Sequence, residues 1–200
     1  MKNIIIYLRV ILLMTMCINV LGCKKLLEID PPVDKRLGSE IFKNPSLAIS
    51  AMTGVYLEIG QISESMLVGN GQISFNLGFM SDELAMGSLA TDSRIYRNEF
   101  HNVPWDLWSK SYKNLIYRIN AIIDGVSKSE TIDDRTKNYL VGEAKFSRAF
   151  IYFYLVNLYG DLPLITTPYF NNNINIARSP VNNVYDQIVK DLRDSQSLLT

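Results

Sequence analysis

A single histidine, His101, lies in a stretch of mixed polar and aromatic residues, and it is the only imidazole in the chain. No Cys/His cluster accompanies it, so no zinc site is expected. Asp82 and Glu83 are the nearest approach to the paired acids of glycoside hydrolysis, which must flank a bond from opposite sides. Adjacent residues rarely project that way, and Ser81-Asp82-Glu83 reads better as the start of a helix. No G-x-S-x-G turn, P-loop or dinucleotide fingerprint occurs. The inventory predicts a protein that is not an enzyme, with no metal and no cofactor.

The same region suits recognition of a polyhydroxylated ligand better. Flat aromatic faces stack on sugar C–H surfaces, and Asn, Arg, Asp and Lys side chains hydrogen-bond hydroxyls. Between residues 61 and 105 the chain offers Asn70, Asn76, Asp82, Arg94, Tyr96, Arg97, Asn98, Phe100 and Trp105. Tyr96 with Arg94 and Asn98 forms the most concentrated candidate for ligand contact, and Asp82 and Trp105 complete the set. Trp105 reads first as the anchor of the helix it precedes and second as a ligand contact.

Helices must position these residues. Asn44-Pro45 is a cap followed by proline at the first helical position, and Leu47, Ala48, Ala51, Met52, Val55, Tyr56 and Ile59 then fall on one predicted face, with Gly60 as a stop. Residues 61–104 are irregular and glycine-rich, with a short helix possible in "GFMSDELAMGSLATDS"; a stretch this long is either functional or hides unassigned elements. Trp105, Trp108, Tyr112, Leu115, Ile116, Ile119, Ile122, Ile123 and Val126 keep a three-four spacing. Thr131 with Asp133 and Asp134 reads as an N-cap followed by acids suited to the helix dipole. In "FSRAFIYFYLVNLYGDLPLI" apolar or aromatic groups occupy nearly every angle from Ala149 to Tyr159, which predicts a helix buried from all sides. Gly160 then supplies a left-handed stop and Pro163 prevents continuation. Ser179-Pro180 is expected to cap a last helix whose buried face is Val181, Val184, Tyr185, Ile188, Val189 and Leu192. No strand pattern competes, and the chain reaches Leu199-Thr200 without a C-cap, as expected of a piece of a larger architecture.

Composition narrows the function class. The 200 residues, 48% of them hydrophobic, can bury a sizeable core. Twenty basic residues balance twenty acidic ones, so the positive field that nucleic-acid or polybasic membrane-surface binding needs is missing. At the N-terminus Lys2 and Arg9 precede the mostly apolar Val10–Leu21 and then Gly22-Cys23. Twelve helical residues reach about 18 Å, against roughly 30 Å of bilayer hydrocarbon, so residues 1–22 read as a cleaved export signal and not as a spanning helix. Residues 23–43, with two adjacent prolines, read as an extended tether.

"VLGC" resembles a bacterial lipobox, with Val20 where leucine is usual, which implies lipidation at Cys23 and a chain held to a membrane by its N-terminal lipid. Further blocks carry a wider resemblance: "CKKLLEIDPP", "NPSLAISAMTGVY", "WSKSYKNLIYRINAIIDGV", "GEAKFSRAFIYFYLVNLYGDLPLI" and "RSPVNNVYDQIVKDLRDSQSLL". Together they resemble the SusD/RagB family of outer-membrane lipoproteins, nutrient-binding partners of TonB-dependent transporters. Lys145, Ser147 and Tyr154 depart from that family's usual arginine, leucine and aspartate. The resemblance implies an all-α fold of tetratricopeptide-like antiparallel helix pairs with a long irregular loop region, here an N-terminal part spanning residues 44–200. It implies a surface-exposed, outer-membrane, lipid-anchored protein that takes a glycan or oligosaccharide, or a peptide, and delivers it to a transporter of the SusC type. The alternative is a tetratricopeptide-type scaffold lipoprotein that binds a peptide or protein partner.

Overall fold

The computed structural model describes residues 40–60, 77–85, 97 and 107–200, and helix dominates them. The signal at 1–22, Cys23, and the tether up to residue 39 lie outside the described residues. The end of the expected tether is not extended: residues 40–43 form a helical turn, closed by bonds from Lys43 N to Glu40 O and from Asn44 N to Ile41 O. The reason is Phe42, whose ring packs against the core at Gly125. A Cβ on Gly125 would fall 2.1 Å from Phe42 Cδ2, so only glycine allows this contact.

Helix α1, Pro45–Gly60, starts as expected. Asn44 Oδ1 accepts from the backbone N–H groups of Ser46 and Leu47, two of the otherwise unpaired donors of the first turn. Asn44→Ala should therefore cost about 1 kcal/mol, read as a lower midpoint in urea unfolding with an unchanged slope. The buried stripe is narrower than the spacing suggested. Ala48, Met52 and Val55 are buried, whereas Leu47 and Tyr56 are exposed, because α1 meets its neighbours along a single i, i+4, i+7 row.

The second helical segment runs in three pieces: α2 (Leu107–Ser111), a π-helical turn (Tyr112–Ile116) and α3 (Tyr117–Lys128). The π turn inserts a residue into an otherwise regular helix and resets its phase. Leu115, Ile116, Ile119, Ile122 and Val126 remain on the core side, as expected. A short link leads to α4, Asp134–Tyr159. Its cap is Asp133, whose carboxylate accepts from Thr136 N at 3.0 Å and is held below the usual carboxylate range by that bond. Thr131, expected to share that role, instead donates its hydroxyl to Lys43 O and ties the link to the turn before α1.

Gly160 ends α4 as expected, but at φ 64° and ψ −127°, a positive-φ conformation that favours glycine and is not the left-handed helical stop expected. Two short strands follow, contrary to the expectation of none: β1 (Leu162–Pro163) pairs antiparallel with β2 (Arg178–Ser179). Between them lies the single turn α5, Phe170–Asn173. The last helix, α6 (Val181–Leu199), is capped from a distance. Asp161 Oδ1 accepts from Val181 N at 3.0 Å, in place of the expected Ser179.

Helix α4 is the centre of the array, packed on α3, α6 and α1. Contacts along α4 and α6 run in opposite directions: Gly142 meets Leu199, Lys145 pairs with Asp194, Arg148 with Asp191, and Asn157 bonds Tyr185. The two helices are therefore antiparallel. The face of α6 turned to α4 is Val184, Ile188, Asp191 and Ser195, and Val189 and Leu192, expected inside, are exposed. An apolar count misses this stripe because half of it is polar.

Candidate functional site

Of the five residues expected to contact ligand, Arg94, Tyr96, Asn98 and Trp105 lie outside the described residues, and only Asp82 can be placed. Residues 77–80 form a helical turn, and Ser81-Asp82-Glu83 end it instead of starting a helix. Glu83 N donates to Gly78 O and Asp82 N to Phe79 O, the paired bonds of a Schellman stop. Asp82 sits at its left-handed position with φ 59°, where a short polar side chain is tolerated best after glycine. Its side chain is exposed, at the edge of the segment that leads toward residues 94–105.

The most heavily bonded polar cluster is closed to solvent and structural. Arg148 is 4% exposed and Asp191 1%, and the guanidinium grips both carboxylate oxygens, Nε to Oδ2 at 2.8 Å and Nη2 to Oδ1 at 2.7 Å. Arg148 Nη1 also donates to Asn120 Oδ1 at 2.7 Å, Asn120 Nδ2 to Ile165 O, and Gln187 Nε2 to Asp191 Oδ1. Tyr152 adds a reciprocal pair with Ile165, accepting from its N–H and donating to its carbonyl. One network thus joins α3, α4, α6 and the loop after β1, and it is closed to solvent.

The ring-rich helix is not buried from every side. Tyr152 is enclosed, but Phe146 is 50% and Phe153 46% exposed. Phe146 stacks on Phe150, and Phe150 and Phe153 both meet Tyr154 edge to face. The described residues cover α4 along one broad side only, and this ridge faces the other.

Among the described residues, two surface grooves have aromatic walls. The larger, about 1150 Å³, lies between α1, the first half of α4 and the end of α6. Glu143 there lies beside the hydroxyls of Tyr56 and Tyr139. Burial together with the Glu143 charge pushes Tyr56 up to about 12.

The second groove, about 690 Å³, runs along α3 beside residues 168–169. Tyr117, Ala121, Asp124 and Lys128 follow one face of α3 at i, i+4, i+7 and i+11. Tyr169, from the loop after α4, closes the opposite wall. Its hydroxyl donates to Asp124 Oδ2 at 2.7 Å and accepts from Lys128 Nζ at 2.8 Å, while Lys128 also pairs with Asp124 Oδ1 at 2.7 Å. Partial burial pushes the Asp124 carboxyl up, but the bonds from Lys128 and Tyr169 outweigh it and hold it below the usual carboxylate range. A depressed carboxyl contributes its stabilisation in full above the unfolded value, near 4, and loses it as pH falls through the lower folded value. Tyr169→Phe removes one of those bonds, so the Asp124 carbon resonance should titrate at higher pH in that variant than in the wild type.

None of these groove residues was singled out as a ligand contact from the sequence. The i, i+4 spacing of Asp124 and Lys128 was readable there, but the partnership with Tyr169, 45 positions along the chain, was not. Among the described residues no group of histidine, cysteine, aspartate and glutamate could hold a metal ion, and no helix is long and apolar enough to cross a membrane.

Residues 63–200 match the family described as starch-binding, associating with the outer membrane. The chain belongs to the SusD-like family. One SusD-like protein of Formosa agariphila is 33% identical over 92 residues, covering 46% of this chain and 17% of its own. A second from the same organism is 28% identical over 201 residues, covering 95% of this chain and 37% of its own. Among solved structures, a laminarin-binding SusD-like protein superposes with a TM-score of 0.65 at 25% identity, covering 78% of this chain and 34% of its own. A SusD superfamily protein of Bacteroides thetaiotaomicron gives 0.62 at 20% identity, over 78% of this chain and 37% of its own, a likeness of fold. The SusD-like fold is all-α and tetratricopeptide-like, as the sequence resemblance implied. The chain spans about a third of the length of the relative it matches end to end.

Proposed function

We propose that this chain is the N-terminal part of a lipid-anchored outer-membrane protein that binds a glycan or oligosaccharide and delivers it to a TonB-dependent transporter. The observation that carries the reading is the likeness to a laminarin-binding SusD-like protein over most of the described fold, within a family described as starch-binding at the outer membrane. Cys23 is the lipid attachment point, and the lipid keeps the binding face at the cell surface. The ligand contacts are Arg94, Tyr96, Asn98, Asp82 and Trp105, on the stretch that precedes α2. The protein holds its ligand by ring stacking and hydrogen bonds and does no chemistry on it. The transporter supplies import and the lipoprotein supplies selectivity.

Affinity gel electrophoresis tests the binding step, with laminarin and starch cast into separate gels. The expected result is slowed migration on at least one of them, lost on Tyr96→Ala with Arg94→Ala. Unchanged migration on both, with wild-type protein that is folded by circular dichroism, would overturn the glycan reading in favour of a peptide-binding scaffold.

A further inference from the structure

We infer that the groove between α3 and residues 168–169 is a sugar-stacking subsite, with Tyr117 and Tyr169 as its platforms. The inference rests on the glycan-binding reading and adds a place and a chemistry to it. Sugar stacking needs an aromatic face that is open to solvent and already fixed in position, because an aromatic side chain that must be immobilised on binding returns part of the affinity as lost freedom. Tyr169 meets both conditions: it is 48% exposed, yet its hydroxyl is clamped between Asp124 and Lys128.

The position of the ammonium matters. Lys128 Nζ lies 5.4 Å from the ring centre and 2.8 Å from the hydroxyl oxygen. Ring centre, hydroxyl and ammonium are then nearly collinear, so the cation caps the hydroxyl end of the ring and does not cover its face. A cation seated over the face would have occupied the surface a sugar needs.

Across the groove Tyr117 is 47% exposed, one α3 face and seven residues before Asp124, which is about 10 Å along the helix axis. The floor between the two rings is low: Ala121 has a methyl group only, and Gly125 carries the Phe42 ring directly on its backbone. Asp124 and Lys128 supply an acceptor and a donor beside the rings for hydroxyl groups. The chemical class that fits is a neutral oligosaccharide long enough to lie across both tyrosines. A charged ligand would compete with the internal Asp124–Lys128 pair.

The test uses three neutral glucose hexasaccharides, α-1,4, β-1,3 and β-1,4 linked, titrated into the chain with carbon-labelled tyrosine rings. The expected result is that a hexasaccharide that binds shifts the Tyr117 and Tyr169 ring resonances, and that Tyr169→Ala and Tyr117→Ala each weaken its affinity about ten-fold. Tyr169→Phe keeps the ring but loses the clamp, and an intermediate loss is expected. Should an alanine variant melt early, the resonance shifts of the wild type decide the question alone. Binding that leaves both resonances unmoved and falls only in Tyr96→Ala overturns this subsite and leaves the glycan-binding reading intact. If no hexasaccharide binds folded wild-type protein, the reading and the subsite both fall. Groove variants that keep full sugar affinity but no longer retain a β-barrel partner would make this face a protein interface, which also overturns the proposal.

Discussion

Arg148→Met is expected to destabilise the chain by about 3–5 kcal/mol, because it leaves the Asp191 carboxylate buried without its cation. The change also removes the donors that Asn120 Oδ1 and Thr166 O now use. At about 2–4 °C per kcal/mol for a domain of this size, the melting temperature should fall by about 6–20 °C. Asp191→Leu alone should cost a similar amount, since it strands a guanidinium in the same enclosed space. The double variant Arg148→Met/Asp191→Leu should recover much of the loss, because replacing a whole buried pair by apolar groups is often near neutral. Calorimetry on the four proteins of this cycle checks it. Additive losses in the double variant would mean that the two residues act separately and that the network does not join α4 to α6.

The second large effect is expected at Tyr152, the bulkiest fully buried side chain among the described residues. Tyr152→Ala should cost about 3–5 kcal/mol through the cavity it leaves under α3 and the 162–167 strand and loop. Tyr152→Phe preserves the volume, and its effect isolates the hydroxyl. Ile165 O keeps a bond from Asn120, but Ile165 N loses the Tyr152 oxygen at 2.7 Å, an unpaired buried donor worth about 1–3 kcal/mol. Burial also pushes the Tyr152 hydroxyl well above its ordinary value. A raised hydroxyl contributes its stabilisation fully below the unfolded value, near 10, and loses it as pH rises toward the folded value. Urea unfolding between pH 9 and 12 should therefore show a shallower alkaline loss in Tyr152→Phe than in the wild type. Parallel alkaline losses in the two proteins would assign that loss to other tyrosines, Tyr56 first among them.

Helix existence and order were legible in the chain, and α1 and α4 carry their own punctuation: Asn44-Pro45, Asp133, Gly160. What the spacing could not show is which part of an apolar face meets a partner. Phe153 and Val189 look as buried as Ile151 and Val184 when only periodicity is read, yet the first pair is exposed and the second enclosed. Long-range polar choices were equally invisible. Asp161 caps α6 from across a hairpin, Thr131 reaches back to Lys43, and Asn120 holds the loop after β1. Each is a single side chain meeting a backbone group many positions away, and no local pattern marks it. The groove on α3 follows the same rule: its helix wall is periodic in sequence, and its other wall arrives only with the fold.

Isolation of the complete native protein from outer membranes in mild detergent tests the proposed role as a nutrient-binding partner of an outer-membrane transporter. The prediction is that the protein fractionates with the outer membrane, that Cys23→Ala releases it, and that a large β-barrel protein co-purifies in stoichiometric amount. A tagged protein that binds no barrel and stays with the inner membrane or the soluble fraction would contradict the account.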